Sequence, residues 1–217
     1  MNVFVTGGTG YIGRALITAL VARGHAVTAL VRPGSTNRVP TGATSISGDP
    51  LDPATFEHCL RRDPTLVHLV GTRHPDPSKA NEFERVDLVS IKASVDAARR
   101  AGIAQLVYVS VAQPAPVMRA YVAARAAGEA AIAGAKLTAT ILRPWYVIGP
   151  GHRWPILLKP LYWIWELLPP TRDTARRLGL LTLEQMVAAL VRAIEEPPPI
   201  GTIRIVDVPA IRETTLD

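Results

Sequence analysis

The feature that most constrains the fold of this chain is a glycine cluster close to its start. Gly7, Gly10 and Gly13 are spaced G-x-x-G-x-x-G between the β-rich run Asn2–Thr6 and a helical pattern that stops at Gly24. A strand, a glycine turn and a helix in this order favour close approach of the backbone to a pyrophosphate at a helix N-terminus. The predicted phosphate-binding residues are Gly7, Gly10, Tyr11, Ile12 and Gly13. The alternative is a glycine turn with a purely structural role.

The sequence does not support two other chemistries that depend on a glycine motif. A P-loop requires Lys followed by Ser or Thr after its last glycine, and this chain has Arg14-Ala15 there. The sequence contains no G-x-S-x-G, so α/β-hydrolase chemistry is unsupported.

Strand-like and helical patterns alternate along the whole chain. The strands are apolar runs without period-2 alternation, which is typical of a parallel sheet covered on both faces. The sequence therefore predicts a doubly wound, mostly parallel α/β fold. The predicted strands are Asn2–Thr6, Ala26–Val31, Thr44–Ser47, Thr65–Val70, Gln105–Ser110, Thr138–Leu142 and Ile203–Val206. After the first helix, helical stretches are predicted at Pro53–Arg61, Lys79–Arg100, Met118–Ala133 and Thr182–Glu195, the last with a capping box at Thr182 and Gln185.

Length and composition predict one domain over residues 1–217. Hydrophobic residues make up 48% of the chain, enough for a sizeable core, and no low-complexity linker divides it. The amino-acid composition changes only after Trp145, where Pro, Trp and Tyr become frequent. Residues 145–180 are therefore predicted to form a small C-terminal lobe that covers the substrate.

The net charge of +6 comes from arginines that are scattered along the chain. A nucleic-acid-binding protein concentrates such charge on one face or in a tail, so no nucleic-acid partner is expected. The single cysteine, Cys59, fits a reducing compartment. Because the first predicted strand begins at Asn2, no leader peptide is expected, and the predicted location is cytoplasmic. The oligomeric state is left open.

Arg32 stands at the end of the second predicted strand, where NAD-preferring folds place an acid on the ribose 2′-hydroxyl. A carboxylate there would repel a 2′-phosphate, whereas a guanidinium pairs with it. The sequence therefore predicts a preference for NADP(H), anchored by Arg32 and assisted by Ser35 or Arg38. In the alternative, Arg32 stacks on the adenine, and NAD(H) is used as well.

With these motifs in view, the chain resembles the short-chain dehydrogenase/reductase superfamily over Asn2–Val206. Its extended and atypical branches fit best, including NmrA-like, epimerase/dehydratase-like and complex I accessory-subunit-like proteins. The resemblance is carried by residues 6–13, 48–52, 106–110 and 141–145. It implies a Rossmann fold in which the cofactor is also contacted by Asp49, Pro50, Val70, Gly71, Thr72, Ser110, Arg125 and Pro144.

The catalytic pair of that superfamily is Tyr-x-x-x-Lys, which matches Tyr121 to Arg125 here. The resemblance implies that Tyr121 exchanges a proton with the substrate and that Arg125 holds the ribose. An arginine remains protonated and cannot join a proton relay. The serine that assists in the superfamily corresponds to Ser110 or, one or two residues later, to Val111 or Ala112, which carry no hydroxyl. The alternative is that Tyr121 and Arg125 are ordinary helix residues.

The histidines and the Trp-rich segment are the remaining candidates. No histidine pair has metal-ligand spacing, so no metal site is predicted. His68 is expected to be a hydrogen-bonded core residue, and His74 and His152 to lie on loops at the rim of the pocket. The segment Trp154–Leu168 is too interrupted to span a membrane; it favours an apolar lid or a dimer contact over membrane-surface contact.

Together these features predict an NADP(H)-dependent oxidoreductase that acts on a carbonyl-like group of a small, largely apolar substrate. The apolar loops Gln113–Arg119 and Trp145–Thr174 are the basis for the apolar substrate. The alternative is a cofactor-binding redox sensor or accessory subunit without turnover, which the absence of the usual lysine favours.

Overall fold

The computed structural model describes residues 1–62, 65–115, 117–149 and 178–215. Its main feature is a seven-stranded sheet in which all neighbouring strands are parallel, in the order β3-β2-β1-β4-β5-β6-β9. These strands are β1 (Asn2–Thr6), β2 (Ala26–Val31), β3 (Thr44–Ser47), β4 (Thr65–His68), β5 (Gln105–Val109), β6 (Ala139–Arg143) and β9 (Ile203–Asp207).

Helices cover both faces of the sheet. They are α1 (Tyr11–Ala22), α2 (Ala80–Glu82), a π-helical turn (Phe83–Leu88), α3 (Val89–Ala101), α4 (Arg119–Gly134), α5 (Leu183–Glu195) and α6 (Val208–Glu213). In β1, Val3 and Val5 enter the core beneath α1 and α5, while Phe4 enters the core beneath α3 and α4. The sheet is therefore doubly wound, with helices on both faces, as predicted, and its edge strands β3 and β9 are partly exposed.

A small second sheet brackets the predicted lobe. Strands β7 (Tyr146–Ile148) and β8 (Leu180–Thr182) pair in parallel, with Tyr146 beside Leu180. They hold the two ends of the intervening segment together. Most of the predicted lobe, including Trp154–Leu168 and His152, lies outside the described residues.

Most predicted boundaries agree with the structure within two residues, but the helix predicted at Pro53–Arg61 is wrong. The chain forms two 3₁₀ turns there, Pro53–Thr55 and Glu57–Arg62. Phe56 separates them with φ −142°, and its ring is fully buried against Phe4, 6.1 Å away between centroids. Burying this ring takes precedence over continuing the helix.

The long helix predicted at Lys79–Arg100 is interrupted by the π-helical turn Phe83–Leu88. Such widened turns often occur at functional sites. By contrast, the predicted capping box at the start of α5 is present: Gln185 N donates to Thr182 Oγ1 at 3.1 Å, and Thr182 N donates to Gln185 Oε1 at 2.9 Å. Within the described ranges, no helix has both the length and the apolar character needed to cross a membrane.

Candidate dinucleotide and substrate site

The glycine turn lies between β1 and α1 and has the geometry that a pyrophosphate needs. Gly7 has φ +77°, and a Cβ atom there would lie 2.7 Å from the backbone carbon of Leu69. A Cβ on Gly13 would overlap the carbonyl oxygen of Gly7 and lie 2.8 Å from Gly8 Cα. Both positions therefore require glycine, and α1 packs directly on the turn.

The N-terminus of α1 can bind an anion, because no side chain of this segment competes for the site. Gly10 caps the helix without a side chain, and the first turn contains no acidic residue. Tyr11 and Ile12 begin the helix beside the turn, and the Tyr11 hydroxyl packs against Gly149. Burial raises the pKa of Tyr11, so its phenol stays neutral. This cradle fits the phosphates of a dinucleotide.

The predicted adenosine end follows β2 and β3. Arg32 is exposed directly after β2 and forms no ion pair with a described residue. Its carbonyl accepts a hydrogen bond from Ser35 N at 3.1 Å, and Ser35 O accepts one from Arg38 N at 3.1 Å, so the three residues share one turn. Asp49 is exposed after β3, next to Pro50, and its Oδ1 accepts from Leu51 N at 2.9 Å.

The loop after β4 contains Val70, Gly71 and Thr72 and is held by a buried carboxylate. Thr72 donates to Asp87 Oδ2 through its backbone N at 2.9 Å and through Oγ1 at 2.6 Å. A Cβ on Gly71 would overlap the guanidinium of Arg125. The loop conformation therefore depends on glycine at this position and on the groups packed beneath it.

Those groups form a buried ion pair. Arg125 Nη2 lies 2.7 Å from Asp87 Oδ1, with side-chain exposures of 6% and 0%. Arg125 Nη1 also donates to the carbonyls of Val109 at 3.0 Å and Val70 at 3.4 Å. Burial lowers the pKa of Arg125, but its electrostatic interactions with Tyr121, Tyr108 and Asp87 outweigh this and raise the pKa. The guanidinium therefore remains protonated and is held by protein groups.

Tyr121 lies one helical turn before Arg125 on the same face of α4. Its half-buried ring packs on Phe83 at 5.0 Å between centroids, and Arg125 Cζ lies 5.2 Å from its ring centroid. The structure thus brings Tyr121, Arg125 and the loop after β4 together at the carboxyl edge of the sheet.

Ser110 follows β5 directly and belongs to a polar cluster centred on Glu129. Ser110 Oγ donates to Glu129 Oε1 at 2.5 Å, and Gln113 Nε2 donates to the same oxygen at 2.7 Å. Arg143 pairs with Glu129 through two nitrogens, with Nε at 3.1 Å from Oε1 and Nη2 at 2.5 Å from Oε2. The hydrogen bond to Glu129 raises the pKa of Arg143. Pro144 follows Arg143 and is buried.

A cavity of about 510 Å³ opens beside this cluster. Its described lining residues are Gln113, Pro114, Ala115, Arg119, Val122, Ala123 and Arg143. Val122 and Ala123 directly follow Tyr121, while Gln113 and Arg143 bind the carboxylate that holds Ser110. Tyr121 and Ser110 are not among these described lining residues, so the cavity adjoins the cluster around Glu129 and not the Tyr121 ring.

His68 has the core role that the sequence predicted. It is fully buried in β4, and its Nδ1 lies 3.0 Å from Thr6 Oγ1 and 2.9 Å from Ser94 Oγ. Burial, with a smaller contribution from Arg125, lowers its pKa to about 3. His74 is on an exposed loop. The described part of the chain contains no cluster of three or more His, Cys, Asp or Glu residues that could hold a metal ion.

Sequence reasoning missed Asp87 and Glu129, the two carboxylates that organise the site. Glu129 had a signal, since Tyr121, Arg125 and Glu129 recur at four-residue intervals on α4. Asp87 is four residues from both Phe83 and Ile91, which are fully buried. A carboxylate on the apolar face of a predicted helix indicates a buried partner.

Together the glycine turn, the parallel sheet and the residues at its carboxyl edge define a dinucleotide-binding domain of the Rossmann type. The chain belongs to the NAD(P)H-binding family, whose model matches residues 7–152, about two thirds of the sequence.

Curated relatives of the chain include several reductases. It is 29% identical over 208 residues to a ceramide reductase of Caulobacter vibrioides, covering 95% of this chain and 64% of that protein. It is 28% identical to a 2-alkyl-3-oxoalkanoate reductase of Stenotrophomonas maltophilia, covering 70% of this chain and 53% of the relative. The chain thus spans between about half and two thirds of the length of these relatives.

Solved structures share the fold. The chain matches a UDP-galactose 4-epimerase with a TM-score of 0.71 and 20% identity, covering 95% of this chain and 77% of that one. It matches the Bordetella bronchiseptica enzyme WbmH, solved with NAD⁺, with a TM-score of 0.68 and 19% identity, covering 90% and 72%. The expected epimerase/dehydratase-like Rossmann fold is therefore confirmed.

Proposed function

We propose that this chain is an NADP(H)-dependent oxidoreductase of the atypical short-chain type that acts on a carbonyl group of a small, largely apolar molecule. One observation carries the proposal: the carboxyl edge of the sheet runs from the glycine turn to Tyr121 and Ser110, and a cavity adjoins the Glu129 cluster that holds Ser110. Carboxyl ends of parallel strands are where ligands bind in open α/β sheets.

The same edge supports the assignment of the cofactor residues. Gly7 to Gly13 would hold the pyrophosphate, and Asp49 and Pro50 would lie beside the adenine. Val70 to Thr72 would run along the dinucleotide, and Pro144 would lie near the nicotinamide. Arg32, exposed and without a described ion-pair partner, would bind the 2′-phosphate, with Ser35 or Arg38 assisting.

The cofactor, when bound, supplies or accepts the hydride. Tyr121 gives a proton to the carbonyl oxygen of the substrate, and Ser110 follows β5 at the same edge of the sheet. Arg125 keeps its proton and acts only as a fixed positive charge beneath the Tyr121 ring, because it is held by Asp87 and two carbonyls. The named substrates of the two reductase relatives, a ceramide and 2-alkyl-3-oxoalkanoates, support an apolar substrate. Residues 145–180 would cover it, within a single domain of residues 1–217.

The alternative is a protein that binds the cofactor without turning it over. It is favoured by the Arg125–Asp87 ion pair. Arg125 occupies the position of the superfamily's lysine, and this pair holds its charge toward the protein interior. Turnover of NADPH with any carbonyl substrate would exclude this alternative.

Calorimetric titration with NADPH and NADH tests the cofactor assignment. We expect NADPH to bind more tightly, and we expect Arg32→Ala to weaken NADPH binding about 10- to 100-fold, the effect of losing a charge-assisted hydrogen bond. NADH affinity should change little. The matched control is Arg99→Ala, an exposed arginine in the last turn of α3, at the opposite edge of the sheet. Equal loss in both variants, or no binding of either nucleotide, would contradict the proposal.

A further inference from the structure

The cavity beside the Glu129 cluster has one cation that no described residue compensates. Two arginines line it, Arg119 and Arg143. Arg143 is 19% exposed and is neutralised by the two hydrogen bonds to Glu129. Arg119 is exposed, and no described residue forms an ion pair with it. The charge that this wall offers to a ligand is therefore the guanidinium of Arg119.

The rest of the described wall is apolar or already hydrogen-bonded. Pro114, Ala115, Val122 and Ala123 present aliphatic surface, and the amide nitrogen of Gln113 donates to Glu129. A volume of about 510 Å³ lies within the usual range for small-molecule sites. The lining thus suits an apolar body that ends in one anionic group.

We propose that the substrate of this site is an amphipathic carboxylate, whose carboxyl group binds Arg119 and whose hydrocarbon part packs on the apolar wall. The inference rests on the proposed function and names its substrate class. Arginine pairs with a carboxylate through two parallel N–H···O bonds, so a single guanidinium is sufficient to select this group. A neutral amide of the same shape lacks the charge and forms weaker hydrogen bonds.

Octanoate and octanamide are matched probes, because they share one hydrocarbon chain and differ in the charge of the head group. Calorimetric titration of the NADPH-loaded protein should show octanoate binding about tenfold or more tightly than octanamide. Arg119→Gln should abolish this preference, and Arg119→Lys should keep part of it, since the charge remains and the two-pronged geometry is lost. Arg99→Gln is the control and should leave the preference unchanged. Thermal unfolding of each variant checks that its fold is retained.

Equal affinity for the two probes in the unaltered protein, or an octanoate preference that survives Arg119→Gln, would overturn the substrate class. Neither result would affect the cofactor titration, so the oxidoreductase proposal would stand. Failure of NADPH to bind would overturn the proposed function, whereas an Arg119-dependent octanoate preference would still support a carboxylate site in the cavity.

Discussion

At the scale of single residues, the most informative group is Arg125. It occupies the lysine position of the superfamily pattern, but its guanidinium contacts Asp87 and the carbonyls of Val70 and Val109. Asp87 in turn binds Thr72. The pair therefore links α4 and the π-helical turn to the loop along which the cofactor is proposed to lie.

Removing one partner of this pair should be costly, because a buried charge would lose its counter-charge. Asp87→Asn should lower the free energy of unfolding by about 3–5 kcal/mol, measured by urea denaturation. The double variant Asp87→Asn/Arg125→Met removes both charges and should regain part of the loss. If Asp87→Asn were as stable as the unaltered protein, the pair would not have the structural importance assigned to it.

Tyr121 is the proposed acid, and its substitution separates chemistry from binding. Tyr121→Phe keeps the ring contact with Phe83 and removes only the hydroxyl. We expect steady-state turnover to fall about 10²- to 10⁴-fold, the usual contribution of a general acid, while the calorimetric affinity for NADPH stays unchanged. Undiminished turnover would remove Tyr121 from the mechanism.

At the scale of elements, the glycine turn decides how α1 meets the sheet. A side chain at Gly13 meets only backbone atoms, which cannot move aside without displacing the helix. The turn and the first helical turn are therefore one rigid unit, and its geometry and its ligand affinity should change together.

Gly13→Ala tests this coupling. We expect a loss of about 1–3 kcal/mol in the free energy of unfolding, as for other overpacked sites, together with weaker NADPH binding. The control is Gly134→Ala at the end of α4, where a Cβ atom would have no neighbour within 4 Å. That variant should keep its stability or gain slightly, since alanine favours helix. Intact NADPH binding in Gly13→Ala would show that the turn tolerates a side chain.

At the scale of the whole molecule, stability should depend on pH through His68. Its pKa in the folded protein is about 3, against 6.5 in the unfolded chain. Between these values the unfolded chain binds the proton and the folded protein does not, so stability falls as the pH falls from about 6.5 toward 3. The slope contributed by one such group is at most about 1.4 kcal/mol per pH unit.

Urea denaturation from pH 7 to pH 4 measures this slope, and His68→Gln removes its source. The variant should lose less stability on acidification than the unaltered protein, while keeping a side chain that can hydrogen-bond with Thr6 and Ser94. Identical slopes in the two proteins would contradict the assignment of this pH dependence to His68.

The sequence by itself was sufficient for the fold and for the phosphate turn. Apolar runs in a strand–helix alternation leave few arrangements other than a covered parallel sheet. The glycine spacing predicts the phosphate turn because the backbone leaves no room for a side chain at Gly7 and Gly13. The α5 capping box was predictable for the same reason: its hydrogen bonds join residues three positions apart.

Only the tertiary structure decided what the charged groups do. Asp87 and Arg125 are far apart in the chain, and so are Ser110 and Arg143, which both bind Glu129. The parallel sheet and its helices bring these segments together. The break at Phe56 and the π-helical turn at Asp87 likewise depend on long-range burial, since a fully buried ring or carboxylate overrides local helix preference. The sequence pattern can single out a functional residue, but only the folded structure shows which charged group it pairs with.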